Sequence, residues 1–456
     1  MEHDLVVFVP GIGGSRLTRD GVDLWNMSLQ AMMSLRNPRR ALEGLALEPG
    51  MEDGHPEGRD AVEVAGLVRE PFVLSGLMRH LGYLRMPQVE EHAKPGQYRE
   101  FAYDWRLSNR TTAEDLQKWT ERALGQWQEQ ARTWYPDMPD DPKVVFLCHS
   151  MGGLVTRYYL ECLGGREITR SLTTIGTPHR GAAKAARFLT GHAFGTRHPL
   201  RWFGENITEL CRRLPSVWQL LPVYEAVIRP GEPDRRTLLE EPLGLDSDRL
   251  RYAFRFHEQF EEAAAANLTA EGRPYRVHCL AGNAHRTWHG VVARPEGPRY
   301  VKELDNSGAW RGDGTVPAGS AVADWHMTSS SDAVWYGHKH ASLHGEKPVG
   351  RQLAQIFLDK PVRGMLADEE EFGFEAPDLA SADTPFEVVV DRCERRRHVV
   401  ARLRGNGVDL PWTELIPDGA GRRRGSLSAP AGVWTLEVRA DNPDTVRRDA
   451  VLVIDE

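Results

Sequence analysis

The stretch from Val144 to Leu154, VVFLCHSMGGL, constrains this chain more than any other. Its β-branched and aromatic start predicts a buried strand, and a helix-compatible segment from Leu154 to Leu163 follows the break at Ser150. Strand, sharp turn and helix form the context that a nucleophile elbow needs, with the serine hydroxyl projecting from the carboxyl edge of a parallel sheet. Strand and helix approach closely only if the residues two before and two after the serine are small. Gly152 satisfies the second position, and Cys148 fills the first, where glycine is usual. His149 is expected to turn to the opposite side from Ser150 as a packed, hydrogen-bonded histidine.

A second apolar strand, Leu5 to Val9, ends in the glycine-rich turn Pro10-Gly11-Ile12-Gly13-Gly14-Ser15. Such a turn brings backbone N–H groups close to a ligand. An oxyanion hole in an α/β serine hydrolase takes one N–H from the residue after the nucleophile and one from an early loop of this kind. By position these are Met151 and Ile12. A phosphate-binding loop fits worse, because no Lys-Ser/Thr pair closes the turn and the GxGxxG spacing is absent.

Downstream, Gly312 to Pro317 places Asp313 between two glycines, and the stretch from Trp335 to His344 carries His338, His340 and His344. The order serine, acid, histidine suits the same class of enzyme. One of the three histidines would take the Ser150 proton, and Asp313 would fix its tautomer. Three clustered histidines also raise a metal site, but no cysteine or carboxylate cluster joins them at ligand spacing. The expectation is no metal and no cofactor.

These blocks together resemble the lecithin:cholesterol acyltransferase family, whose relatives include phospholipid:diacylglycerol acyltransferases and lysosomal phospholipase A2. The resemblance rests on Phe8 to Leu17 with Trp25-Asn26, on Phe101 to Ser108, on the Ser150 elbow, on Gly176-Thr177-Pro178-His179-Arg180-Gly181, and on Gly312 to Pro317. Tyr103-Asp104-Trp105-Arg106 is its most specific part. It covers residues 4 to about 360, and it departs from the family at Cys148 and at Ala102, where proline is common. The family pattern of histidine followed three residues later by Leu, Ile or Met favours His340 with Leu343. It implies an α/β-hydrolase with Ser150, Asp313 and His340 as catalytic residues. Asp104 and Arg106 are expected to pair, with Trp105 packed beneath the site loops and the 176–181 block shaping the pocket.

A chain of 456 residues can hold one large α/β core and more. The expected organisation is an α/β-hydrolase domain over 1–362, with a mostly parallel sheet and insertions at about 27–75 and 190–270. An acidic linker over 363–384 and a small β-sandwich over 385–456 follow. The second insertion is expected to be a cap or lid with exposed aromatics. The first carries an apolar and basic patch from Leu29 to Arg40, a candidate for peripheral membrane contact or an ordinary packed helix. A net charge of −8 with both signs dispersed recruits no nucleic acid. A start four residues before the first strand, no 20-residue apolar stretch and five cysteines predict a cytoplasmic protein, with contact at the inner membrane surface as an option. The leading functional expectation is a serine-dependent lipid esterase or phospholipase-like hydrolase. An O-acyltransferase and a non-catalytic binding protein on the same scaffold are the alternatives, the last favoured by a C-terminal region free to bind a protein partner.

Overall fold

Six short runs pair into one parallel sheet in the computed structural model of the protein, which describes residues 3–25, 38–47, 62–68, 87–138, 140–193, 201–268, 274–304, 311–323, 333–360, 372–393, 398–405, 407–419, 421–441 and 446–454. The strands are β1 (Leu5–Val9), β2 (Tyr98–Glu100), β3 (Val144–His149), β4 (Thr169–Ile175), β5 (Arg276–Gly282) and β6 (Ala333–Tyr336). Their spatial order is β6-β5-β4-β3-β1-β2, and every pairing is parallel. A parallel sheet is covered on both faces, so its central strands read as near-continuous apolar runs. β1 and β3 are buried along their whole length.

Alternation along these strands divides the core. Val7, Val9, Phe146 and Cys148 pack with helices α1 (Asn109–Trp134) and α2 (Met151–Cys162). Val6, Phe8, Val145 and Leu147 face the other way, against Val349, Leu353 and Phe357 of a late helix, Lys347–Phe357. The register Leu5↔Val144 through Val9↔Cys148 brings the carboxyl ends of β1 and β3 level. The glycine-rich turn and the Ser150 turn therefore sit side by side.

Between β4 and β5 lie α3 (Ala183–Leu189), α4 (Arg201–Arg212), α5 (Pro215–Trp218) and α6 (Ser247–Ala266). Leu214, Trp218 and Leu221 are buried in the main core rather than exposed. Trp218 has its indole N–H on the Arg212 carbonyl at 3.0 Å, which satisfies its one polar atom indoors. The side chains of Trp202 and Phe203 lie outside the described residues. α6 is fastened to the elbow helix by an Arg157–Glu261 ion pair at 2.8 Å and by Leu154, Phe256 and Phe260 packing together. In the first insertion, the strand Val62–Leu67 pairs antiparallel with Ser15–Arg19, and a helix spans Pro38–Leu45. Asn26 and residues 29–37 of the basic patch lie outside the described residues, as do the side chains of Pro38, Arg39 and Arg40.

The C-terminal region is a β-sandwich, and its strands begin earlier than the expected boundary at 385. β7 (Gly373–Glu375) and β8 (Leu379–Ser381) fall within the stretch read as linker. They escape notice because their strand character comes from partners: Phe374 pairs with Val390, and Leu379 with Leu452. The acidic run Asp368 to Glu371 lies outside the described residues. One sheet joins β7, β9 (Phe386–Asp391), β11 (Arg423–Leu427) and Ile416–Pro417. The other joins β8, β13 (Val446–Ile454), β12 (Gly432–Ala440), β10 (Val399–Gly405) and Val408–Asp409. Val388, Val390, Leu403, Trp434, Leu436 and Val451 fill the space between them. Among the described residues no helix is long and apolar enough to cross a membrane.

Candidate active site

Ser150 adopts φ 52° and ψ −126° between β3 and α2. A non-glycine residue at positive φ is costly and survives only where the surroundings over-determine it. Here those surroundings are glycines. A Cβ on Gly152 would lie 2.4 Å from the Val9 carbonyl oxygen, and one on Gly11 would lie 2.7 Å from the Ser150 Cβ. Cys148 is accommodated where glycine is usual: its thiol is buried and 3.2 Å from the Thr156 hydroxyl. Burial pushes that thiol up to about 12, so it stays protonated and inert.

The turn after β1 is held from below. The Tyr103 hydroxyl donates to the Pro10 carbonyl at 2.8 Å, and the Trp105 indole N–H reaches the Ser15 carbonyl at 3.2 Å. Trp25 donates to the Gly13 carbonyl at 2.7 Å and meets Trp105 edge-on. Asp104 and Arg106 pair at 2.7 Å, with Arg106 fully buried. This block thus anchors the loop that carries Ile12. Met151 opens α2, where first-turn N–H groups have no intrahelical acceptor.

Asp313 and His340 arrive from the ends of two other segments. Asp313 Oδ1 accepts the N–H groups of Thr315 at 2.9 Å and Val316 at 2.7 Å, which leaves Oδ2 aimed at His340 Nδ1, 2.7 Å away. His340 Nε2 lies 2.9 Å from Ser150 Oγ. A carboxylate oxygen only accepts, so Nδ1 carries the proton and Nε2 is left to accept from the serine. The His340 N–H also donates to the Asp313 carbonyl at 2.9 Å, which locks the two loops together. Gly176, at φ +61° after β4, makes room: a Cβ there would come within 3.1 Å of both the Asp313 carboxylate and the His340 ring. Nothing in the Gly176 block of the sequence announces this role.

His338 and His344 have other neighbours, although His344 also lines the Ser150 cavity. His338 Nε2 faces Arg447 at 3.3 Å, and the His344 ring lies tilted against His149 with centroids 4.3 Å apart. Burial, then the neighbouring His340, drives the His344 pKa down to about 3. Burial also holds His149 well below the usual imidazole range, with His344 and His340 adding to it. His149 is hydrogen-bonded as expected, to the His340 carbonyl at 3.2 Å, yet it lines the same cavity as Ser150 instead of facing away. Elbow geometry cannot disclose this, because the carbonyl it seeks lies on a distant segment. Of the 176–181 block, Pro178 lines the cavity, while His179 is buried against Thr174.

The cavity measures about 330 Å³ and runs from Ser150 past Ile12, Ala185, Phe188, Val217 and Leu220, within the range of ligand sites. Its walls are mostly apolar, with Ala185 and Phe188 from α3 and Val217 from α5 beside the loops that carry Ile12, Val316 and His340. A larger cavity of about 760 Å³, by Arg180, Tyr224 and Arg235, touches none of Ser150, Asp313 and His340. Among the described residues no group of three or more His, Cys, Asp or Glu side chains is placed to hold a metal.

The family model of lecithin:cholesterol acyltransferase matches residues 93–242, a segment holding Tyr103 to Arg106, Ser150 and the 176–181 block. No curated protein matches the chain. Among solved structures, the Tle4-Tli4 complex contains a chain 16% identical to this one, over 78% of this chain and 97% of that, with a TM-score of 0.50. The Bacillus licheniformis lipase BlEst2 in propeptide form is 12% identical over 98% of this chain and 73% of its own, at a TM-score of 0.31. The fold is an α/β-hydrolase with a β-rich C-terminal region. Family match and fold support lipid acyl hydrolysis or acyl transfer in general.

Proposed function

We propose that the chain is a serine-dependent lipid acyl hydrolase working through an acyl-enzyme. Ser150 Oγ attacks the ester carbonyl as His340 Nε2 takes its proton. Asp313 holds the tautomer that leaves Nε2 basic and steadies the imidazolium that forms. The N–H groups of Met151 and Ile12 receive the oxyanion, a contribution of about 3–4 kcal/mol per donor in such sites. The imidazolium then protonates the leaving alcohol, and a water activated by the same histidine releases the acid. The apolar cavity beside Ser150 supports an acyl chain as the group bound.

The observation that carries this reading is the continuous relay from Asp313 Oδ2 through His340 to Ser150 Oγ, at 2.7 and 2.9 Å. None of the five cysteines is in a disulfide, which supports a reducing compartment and with it a cytoplasmic protein. A fluorophosphonate probe tests the mechanism. Wild-type protein is expected to label and to cleave p-nitrophenyl esters, and Ser150→Ala to do neither while keeping its circular dichroism. Unchanged turnover in Ser150→Ala would sink the assignment.

A further inference from the structure

We infer that the C-terminal β-sandwich is a working part of this site: Lys339, held by Asp449 and Phe374, positions the loop that presents His340 to Asp313 and Ser150. This rests on the reading of His340 as the base.

Lys339 immediately precedes His340 and has an extended backbone, φ −74° and ψ 152°. In extended chain, neighbouring side chains leave on opposite sides. His340 accordingly lines the cavity with Ser150, and Lys339 lines a separate cleft against the sandwich. There its Nζ lies 3.0 Å from Asp449 Oδ2 on β13 and 4.9 Å from the ring centroid of Phe374 on β7. Its stem crosses the turn of the acid, because a Cβ on Gly314 would come within 3.1 Å of both Lys339 Cδ and Nζ. One side chain therefore touches the residue after Asp313, adjoins His340 and is tied to the last strand of the sandwich. Burial works against the charge of Lys339, but Asp449, with Asp378 and Glu375 beyond it, outweighs that and raises its pKa. Lys339 is therefore charged at neutral pH.

The neighbours of Lys339 repeat the pattern. Arg447, two residues before Asp449, meets His338 at 3.3 Å, and Arg448 lies 3.8 Å from Glu346, at the far end of the same loop. On the sandwich's other sheet, the backbone N–H of Phe374 reaches His285 Nδ1 at 3.2 Å, and His285 Nε2 faces the Gly337 carbonyl at 3.2 Å. Adhesion alone does not need these contacts. Lys302–Glu375 at 2.7 Å, Arg311–Asp391 at 3.0 Å and Lys184–Asp378 at 3.1 Å join the two regions without touching residues 338–346.

The test uses the full-length protein with Asp449→Asn and Lys339→Met, and Val388→Ala as a control that weakens the sandwich core away from the loop. Melting temperature, probe labelling, kcat and KM on a short p-nitrophenyl ester are measured for each. Asp449→Asn and Lys339→Met are expected to lose about tenfold to a hundredfold in kcat, the usual cost of a small misplacement of catalytic groups, with KM within about twofold. Val388→Ala is expected to lose melting temperature and keep kcat. Wild-type kcat in a folded Asp449→Asn would overturn the inference, as would a loss in Val388→Ala that scales with its melting temperature. Activity surviving in Ser150→Ala would instead overturn the reading beneath it.

Discussion

The Ser150 elbow and the His340 loop meet at 2.9 Å, yet they are built in opposite ways. The elbow is shaped by its own sequence: a strand on one side, a helix on the other, and Gly152 and Gly153 where a Cβ would strike the Val9 carbonyl or the Thr177 side chain. The His340 loop is short and polar, and its helical turn spans only His340–Leu343. Its position comes from outside, through Asp313, Gly176 and the sandwich. A nucleophile that must hold a strained φ needs local, steric enforcement. A base that needs a direction can be held by charges and hydrogen bonds brought from afar.

The contrast can be broken at several points. The largest effect is expected from Asp313→Asn, which keeps the loop but presents the wrong hydrogen-bonding partner to Nδ1. A fall in kcat of about 10⁴ with an unchanged melting temperature is expected, and a loss below tenfold would show that His340 is oriented by something else. Gly152→Ala attacks the elbow. Because the added methyl meets the Val9 carbonyl, it should cost about 1–3 kcal/mol in denaturant unfolding together with probe labelling. Full labelling at wild-type stability would mean the elbow is not sterically enforced.

A third test concerns pH. His344 is held down to about 3, chiefly by burial, and His257 to about 4, again chiefly by burial. The unfolded chain takes up these protons near pH 6.5, whereas the fold refuses them. Stability is therefore complete above about 6.5 and is lost as pH falls towards 3–4, by about 1.4 kcal/mol per pH unit and histidine within that window. The melting temperature should drop between pH 7 and 5, and His257→Gln should flatten the drop; equal values at both pH would refute it. The smallest effect is expected at Cys148→Ala, about 1 kcal/mol with labelling retained. Loss of labelling there would give the thiol a role that its burial argues against.

Much of the site was legible because its parts are contiguous. Pro10 to Ser15, Tyr103 to Arg106 and Cys148 to Gly153 each announce their geometry within a few residues, and the structure puts all three at one sheet edge. The choice among His338, His340 and His344 was not legible from periodicity, since what separates them is contact with Arg447, Asp313 and His149. The strands at Gly373–Glu375 and Leu379–Ser381 are silent in the sequence for the same reason, while Val399–Gly405 shows its alternation plainly. The aromatics expected on the surface of the second insertion include Trp218, whose burial nothing local reveals, because the Arg212 carbonyl that accepts its N–H is shown only by the fold.

Time enters through these separations. Ser150 and His340 lie 190 residues apart, and His338 lies 109 residues before the arginine that faces it. Contacts that close such long loops form late, after the entropy of closure has been met. As the chain is synthesised, the elbow can be complete on its sheet while β13 does not yet exist. On the proposed reading, ester cleavage then comes with the last of these contacts rather than the first, and a chain stalled before β13 holds Ser150 without His340 fixed beside it.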